Sequence, residues 1–308
     1  MTTADPTPFP NAAAVIQPEL VWALLLALRQ RIRTLTTGPA PLGLGLDEQG
    51  RPLVIPADDP AALLEIAGAG SWSARMPVAE PGGEWLDLYL PMALAGPEQP
   101  LAVAHLGQSL DGRIATENGA SCFVTGPENL THLHRMRALC DAIVVGAATV
   151  ECDDPQLTTR RVAGPNPVRV IIDPQRRLVA DHGVFQDRAA PTLLVCAAER
   201  AVTPAPGGVE ILGIPSENGR LNPREILRRL HGRRLYGIFI EGGGQTVSAF
   251  LEEGVLDRLQ LTVAPLIIGS GRPGIILPPI QELSQGLRPR HRRYLLGEDV
   301  LFDCWLRD

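Results

Sequence analysis

The chain predicts an α/β protein: a mostly parallel β-sheet flanked by helices, preceded by a small α/β appendage. Three observations carry that expectation. From residue 101 onward, short apolar runs alternate with helix signals, the pattern of parallel strands joined by helical crossovers. The stretch Ile238-Phe239-Ile240-Glu241-Gly242-Gly243-Gly244-Gln245-Thr246 reads as a buried strand, a glycine turn and the start of a helix. Residues 38–97 break the alternation, being rich in Gly and Pro with only short strand-like pieces.

The 308 residues suffice for one large or two medium domains, and 45% hydrophobic with 20% charged residues excludes wholesale disorder. A net charge of −6 opposes broad non-specific nucleic-acid binding but leaves room for a local basic pocket. Cys122, Cys140, Cys152, Cys196 and Cys304 are odd in number, and no two have C-x-x-C spacing, so neither a zinc site nor a disulfide framework is indicated. That usage fits a reducing cytoplasm. The apolar run Leu20–Leu28 is too short to span a bilayer and has no basic region before it, which opposes a membrane span and a signal peptide.

In chain order, residues 1–17 lack periodicity and read as a loose leader. Pro18-Glu19 opens a helix to about Arg33, with an apolar packing face of Leu20, Ala23, Leu24, Ala27 and Leu28. Leu53-Val54-Ile55 and Trp85–Leu90 read as strands, and Pro60–Ala67 as a short helix capped by Asp58 or Asp59. Gly96-Pro97-Glu98-Gln99-Pro100 reads as a linker, dividing an appendage (1–97) from a main domain (98–308). Beyond it, strands are expected at 101–106, 141–146, 168–173, 192–196, 236–241, 257–264 and 299–306, and helices at 127–139, 147–152, 222–231 and 245–253. With no helix before it, the last strand is expected to be an antiparallel edge strand.

Candidate chemistry lies at the strand ends. A glycine turn lets backbone approach an anion, and the first N–H groups of the following helix favour negative charge, although such a run is equally a tight turn. The first strand of the main domain enters Gly107-Gln108-Ser109-Leu110-Asp111-Gly112-Arg113, a polar loop at the edge where open α/β sheets bind ligands. His132 and His134, two apart on a helix, do not face each other, and no metal site is expected of them. Arg137, near the helix end, suits the helix dipole and a ligand equally. Asp153-Asp154-Pro155 is turn chemistry, yet with Thr158, Thr159 and Arg160 it also forms a polar surface on which the fork of Arg160 suits a phosphate.

Taken together, Ser109-Leu110-Asp111-Gly112-Arg113-Ile114-Ala115, Thr125-Gly126-Pro127, Arg137-Ala138, Gly146-Ala147-Ala148-Thr149-Val150, Asp153-Asp154-Pro155-Gln156-Leu157-Thr158, Ile171-Ile172-Asp173, Glu241-Gly242-Gly243, Ala264-Pro265 and Gly269 resemble the reductase domain of the bifunctional riboflavin-biosynthesis deaminase-reductase. The resemblance covers roughly residues 100–306 and rests on the order and spacing of these motifs. It implies a dihydrofolate-reductase-like fold, NADPH as cofactor, a homodimer, and reduction of the ribosyl group of 5-amino-6-(5-phosphoribosylamino)uracil to ribityl by hydride transfer. Two alternatives stand beside it: a related reductase of another pteridine- or pyrimidine-like substrate, and a non-catalytic NADPH-binding module.

Position by position, the resemblance implies that Gly107, Phe123, Thr149 and Asp153 line the NADPH site. Gly243 to Ala249, with Gly244, Gln245 and Thr246, would cradle its phosphates. Ser121, Arg137, Leu157 and Arg160 would hold the substrate, the two arginines on its 5′-phosphate, and Glu241 would meet it near the reacting end. Glu241 and His105 are the expected candidates for proton delivery, with water as the third. Three departures from the family pattern follow. Residues 1–97 hold no His and no Cys, so the family's zinc deaminase site is not expected there, and a separate deaminase is the expected pathway partner. His105 stands where the family usually has lysine, and reads equally as a substrate contact or a buried strand residue. Pro174 stands where a hydroxyl residue is usual, leaving Arg176 and Arg177 to serve the 2′-phosphate of NADPH.

Overall fold

The computed structural model describes residues 15–35, 41–67, 70–122 and 124–307. The chain divides into two units, one of residues 1–34 and 39–91, the other of residues 35–38 and 92–308.

The first unit contains α1 (Pro18–Thr34), β1 (Leu42–Leu46), β2 (Pro52–Pro56), β3 (Ala62–Ile66), β4 (Trp72–Ala74) and the start of α2 (Gly82–Leu94). Its strands form an antiparallel sheet in the order β2-β1-β3-β4. The buried face of α1 is Val21, Trp22, Leu24, Leu25, Leu28 and Ile32, rotated from the expected one, with Leu20, Ala23 and Ala27 only half-buried. Trp22 meets Tyr89 edge to face, ring centroids 6.0 Å apart.

Two expectations here are corrected. Pro60–Ala67 is not a helix: Ala62, Leu64 and Ile66 alternate as buried residues of β3, a period of two. Trp85–Leu90 is not a strand: it lies in α2, where Leu86, Tyr89 and Leu90 are buried at helical spacing. Short apolar runs do not distinguish the two states by themselves.

The second unit contains, in order, β5 (Leu101–Ser109), β6 (Arg113–Ala115), α3 (Pro127–Leu139), β7 (Ala142–Gly146), α4 (Ala147–Asp153), β8 (Val168–Ile172), α5 (Gly183–Gln186) and β9 (Thr192–Ala197). There follow β10 (Glu210–Ile214), β11 (Ser216–Glu217), β12 (Arg220–Leu221), α6 (Pro223–His231), β13 (Gly237–Glu241), α7 (Gly244–Glu252), β14 (Arg258–Ala264), β15 (Arg272–Pro273), β16 (Arg290–Leu296) and β17 (Asp299–Trp305). The nine-stranded sheet has the order β10-β9-β8-β7-β13-β5-β14-β17-β16. From β10 to β14 every pair is parallel, and β17 and β16 add antiparallel. This is the expected mostly parallel sheet with helices on its faces.

β17 is antiparallel as expected but not the edge strand, because β16 covers it. Neither β16 nor β10 is anticipated from the sequence. β16 reads Arg-His-Arg-Arg-Tyr-Leu-Leu and is largely exposed, a charged edge without the apolar alternation that marks an inner strand.

The two faces of the sheet differ. On one, Ala102, Ala104, Leu106, Ile238 and Ile240 pack with Leu227 and Leu230 of α6 and Val247 and Phe250 of α7 in a continuous apolar core. The other, under α3, carries polar residues among apolar ones. There the His105 ring lies 6.3 Å from that of Phe239 and 5.5 Å from that of His132. His105 and Glu241 are register partners on β5 and β13, so both side chains point to this face. Among the described residues, no helix is long and apolar enough to cross a membrane.

Candidate active site

The strands β7 and β13 lie side by side and parallel, and each leads through glycine into a helix: Gly146 before α4, Gly242-Gly243 before α7. The N-terminus of α7 presents backbone N–H groups without intrahelical acceptors. The glycines have separable causes. A Cβ on Gly146 would stand 2.5 Å from Thr246 Oγ1, and one on Gly244 would collide with the carbonyl oxygen of Gly274, so close packing demands both. A Cβ on Gly243 would meet only Thr149 Oγ1, at 3.5 Å, so this glycine leaves open space at the helix start. That space is bordered by the Thr149 hydroxyl, which accepts the Gly243 N–H at 3.2 Å. One helical turn along α4, Asp153 accepts the Ser121 hydroxyl at 3.2 Å.

The backbone of Glu241 leads into this turn, while its side chain faces α3. Its carboxylate takes both Nη2 (2.5 Å) and Nε (2.8 Å) of Arg137 in a bidentate pair whose side chains are 17% and 9% exposed. Burial alone would raise the Glu241 carboxyl, but the Arg137 guanidinium beside it prevails and holds it below the usual carboxylate range. The third guanidinium group, Nη1 of Arg137, donates to the Thr158 carbonyl at 3.1 Å, and Arg160 Nη1 donates to Thr158 Oγ1 at 2.6 Å. Arg160 is exposed and has no carboxylate within 4 Å among the described residues. Burial and then Arg137 depress its pKa against the opposing pull of Glu241.

The loop that carries Arg160 is wound tightly. Asp154 (φ 36°) and Leu157 (φ 56°) adopt left-handed backbone without being glycine, a strain that packing must hold. Leu157 is buried, the Asp154 carboxylate accepts the Gly183 N–H at 2.8 Å, and His134 Nδ1 on α3 accepts the Arg160 N–H, also at 2.8 Å.

The structure thus gathers Arg137, Glu241 and Arg160 around Thr158, Thr149 and Thr246 around the glycine turn, and Ser121 with Asp153. Gln245 is exposed on the first turn of α7. Phe123 lies outside the described residues. Gly107 has a structural cause of its own, since a Cβ there would lie 2.8 Å from Thr125 Cγ2.

Three of the expected roles meet constraints in the structure. His105 is a buried strand residue: its Nε2 lies 3.1 Å from both Asn129 Oδ1 and Thr262 Oγ1, and burial pushes its pKa down to about 4. Asn129 Oδ1 can only accept, so Nε2 carries the proton of a neutral ring and is committed within the fold. Glu241, ionised and clasped by Arg137, can accept but not donate a proton. Arg176 is engaged in structure, its Nη1 donating to the carbonyls of Arg200 and Thr203 and its Nη2 to that of Pro204.

Sequence reasoning named Arg137 but passed over its pairing with His134. His134 and Arg137 are three apart on α3, a spacing legible in the sequence as one helix face. Asp111, read as part of a ligand loop, is a staple: it accepts Ser109 Oγ (2.6 Å) and the N–H groups of Ile268 (3.1 Å) and Gly269 (2.6 Å), which hold its pKa at about 2.

The sequence profile of the RibD C-terminal domain matches residues 100–294. The 2,5-diamino-6-ribosylamino-4(3H)-pyrimidinone 5′-phosphate reductase of Methanothermobacter thermautotrophicus is 34% identical over 214 residues, covering 67% of this chain and 97% of that protein. The riboflavin biosynthesis protein RibD of Aquifex aeolicus is 33% identical over 208 residues, covering 66% of this chain but only 57% of that one. Among solved structures, Acinetobacter baumannii RibD superposes with a TM-score of 0.60 at 26% identity, over 74% of this chain and 65% of that one. With the profile matched over more than half of its length and a relative 34% identical across nearly its full extent, the chain belongs to the RibD C-terminal domain family.

Proposed function

We propose that the chain is a reductase of riboflavin biosynthesis that uses NADPH to reduce the ribosyl group of 5-amino-6-(5-phosphoribosylamino)uracil to ribityl. The observation that carries this reading is the double placement of Glu241. Its side chain belongs to the Arg137–Thr158–Arg160 cluster, and its backbone runs into the glycine turn before α7. An anion-receiving arginine and a phosphate-sized cradle thus flank one carboxylate at the same sheet edge.

NADPH, when bound, supplies the hydride. The chain's own residues hold two ligands in register, which can remove several kcal/mol, up to about 7–11, of a barrier. Gly243, Gly244, Gln245 and Thr246 receive the cofactor phosphates, with Thr149 and Asp153 beside them. Arg177, half-exposed and 3.6 Å from Glu151, is left to meet the 2′-phosphate. Arg160 takes the 5′-phosphate, and Ser121 and Leu157 border the substrate. Arg137 orients Glu241, which accepts hydrogen bonds from the substrate, and the proton comes from solvent. A cytoplasmic homodimer completes the reading, supported by exposed apolar side chains such as Ile267, Leu283 and Leu287.

A second reading takes the substrate before deamination, favoured by the name of the Methanothermobacter relative and its near-complete coverage. The test is NADPH oxidation with each pyrimidine phosphate, in wild type and Arg160→Met. Turnover on one form assigns the order of steps. Arg160→Met should raise KM for that substrate about 10- to 100-fold, the worth of a charge-assisted hydrogen bond, and leave KM for NADPH unchanged. No turnover on either form would overturn the proposal.

A further inference from the structure

We propose that His134 is a positioning residue: it sets the affinity of the site for a phosphorylated ligand by holding the backbone of Arg160, without touching the ligand. The inference rests on the reading of Arg160 as the phosphate receiver. His134 is buried on α3, and its Nδ1 accepts the Arg160 N–H at 2.8 Å and, more weakly, the Arg161 N–H at 3.4 Å. One turn along the same helix face, Arg137 Nη1 takes the Thr158 carbonyl. Two side chains of one rigid helix therefore grip the loop at two backbone points, the Thr158 C=O and the Arg160 N–H.

Between its left-handed residues and Arg160 the loop has no regular secondary structure of its own. Among the described residues, the guanidinium of Arg160 is tied to Thr158 Oγ1 alone, on the gripped segment itself. The start of the Arg160 side chain, and so the reach of its donor fork, follows from this clamp. A neutral imidazole protonated on Nε2 provides an acceptor for this half-buried backbone N–H. The ring remains neutral because burial, followed by Arg137, Arg160 and Arg161, outweighs the opposing pull of Glu241 and pushes its pKa down to about 4.

The test compares His134→Asn, His134→Gln and His134→Phe. Asparagine puts an amide oxygen close to the place of Nδ1, glutamine displaces it by one methylene, and phenylalanine keeps the ring volume without an acceptor. Two readouts are taken on the full chain: steady-state kinetics with the phosphorylated pyrimidine and NADPH, and calorimetric binding of ribose 5-phosphate. His134→Phe should raise KM for the pyrimidine phosphate and Kd for ribose 5-phosphate about tenfold, the scale of one unsatisfied buried donor. The kcat and the KM for NADPH should stay within about twofold, a shift near the limit of a purely structural perturbation. Asparagine should restore most of the loss and glutamine less.

Should phenylalanine not fold, the asparagine–glutamine difference carries the test. An unchanged KM and Kd, a loss shared equally with NADPH, or no ribose 5-phosphate binding by wild type overturns the proposal. Histidine-dependent binding of ribose 5-phosphate in a chain that turns over neither pyrimidine would uphold the clamp while refuting the reductase reading.

Discussion

Replacing Glu241 by glutamine removes the anion from a pair that the fold has almost enclosed. Both nitrogens of the Arg137 fork lie within 2.8 Å of carboxylate oxygens, so the charge centres are about 4 Å apart, an attraction of about 4 kcal/mol at an effective dielectric near 20. Glutamine keeps one acceptor but turns an NH2 toward the second arginine donor, leaving a desolvated cation. Breaking a buried pair from one side costs about 3–5 kcal/mol; residual exposure of both side chains puts this pair near 3. For a domain of this size that corresponds to a drop in Tm of roughly 6–12 °C. The assay is urea unfolding of wild type, Arg137→Met, Glu241→Gln and the double variant, with an expected coupling of about 2 kcal/mol. The Glu241 carboxyl is depressed below its ordinary 4.5, so the contribution is complete above that pH and fades as pH falls through the lower folded value. The coupling should be equal at pH 7 and pH 5.5 by that logic, and smaller in acid. Single effects that sum to the double within about 0.5 kcal/mol would refute the reasoning, because independent residues do just that.

The glycine turn and the buried imidazole offer two further checks. Gly244→Ala should yield little folded protein, since its methyl would occupy the Gly274 carbonyl oxygen. Gly243→Ala, meeting only Thr149 Oγ1, should keep its Tm yet bind NADPH more weakly in a fluorescence titration; unchanged affinity would remove the phosphate cradle from the argument. His105 protonates near pH 6.5 when unfolded and only near 4 when folded, so between those values the unfolded chain binds more protons and stability falls as the pH is lowered. Up to about 3 kcal/mol is lost across that window, and His105→Gln, which can still donate to Asn129, should flatten the slope of the urea midpoint against pH; parallel slopes in the two proteins would exclude His105 as the source.

Local chemistry was enough to announce the parallel core. β5, β7, β8, β9, β13 and β14 are short apolar runs bounded by glycine, proline or polar turns, and their burial on both faces gives a signal strong enough to read without partners. The same holds for α3, with Pro127 at its first position, and for the strand–glycine–helix sequence at Glu241. The first unit was less legible. Residues 60–67 and 85–90 are apolar runs of strand length, and only the neighbours they pack against decide between a period of two and one of 3.6. β16 was invisible because a charged edge strand is specified by the strand it pairs with, here β17, and not by its own pattern.

At the site, the sequence determined which side chains were available and tertiary structure decided what each was free to do. Arg137 and Arg160 look alike as cations near turns. The fold brings Glu241 across 104 positions of sequence to neutralise the first, and leaves the second without a carboxylate within 4 Å among the described residues. His105 and Glu241 are both titratable at neutral-range or acidic pH in isolation, but burial makes one a neutral donor to Asn129 and a guanidinium makes the other a fixed anion. Protonation state and spare hydrogen-bonding capacity belong to an environment assembled from distant segments, and local sequence carries no record of that environment.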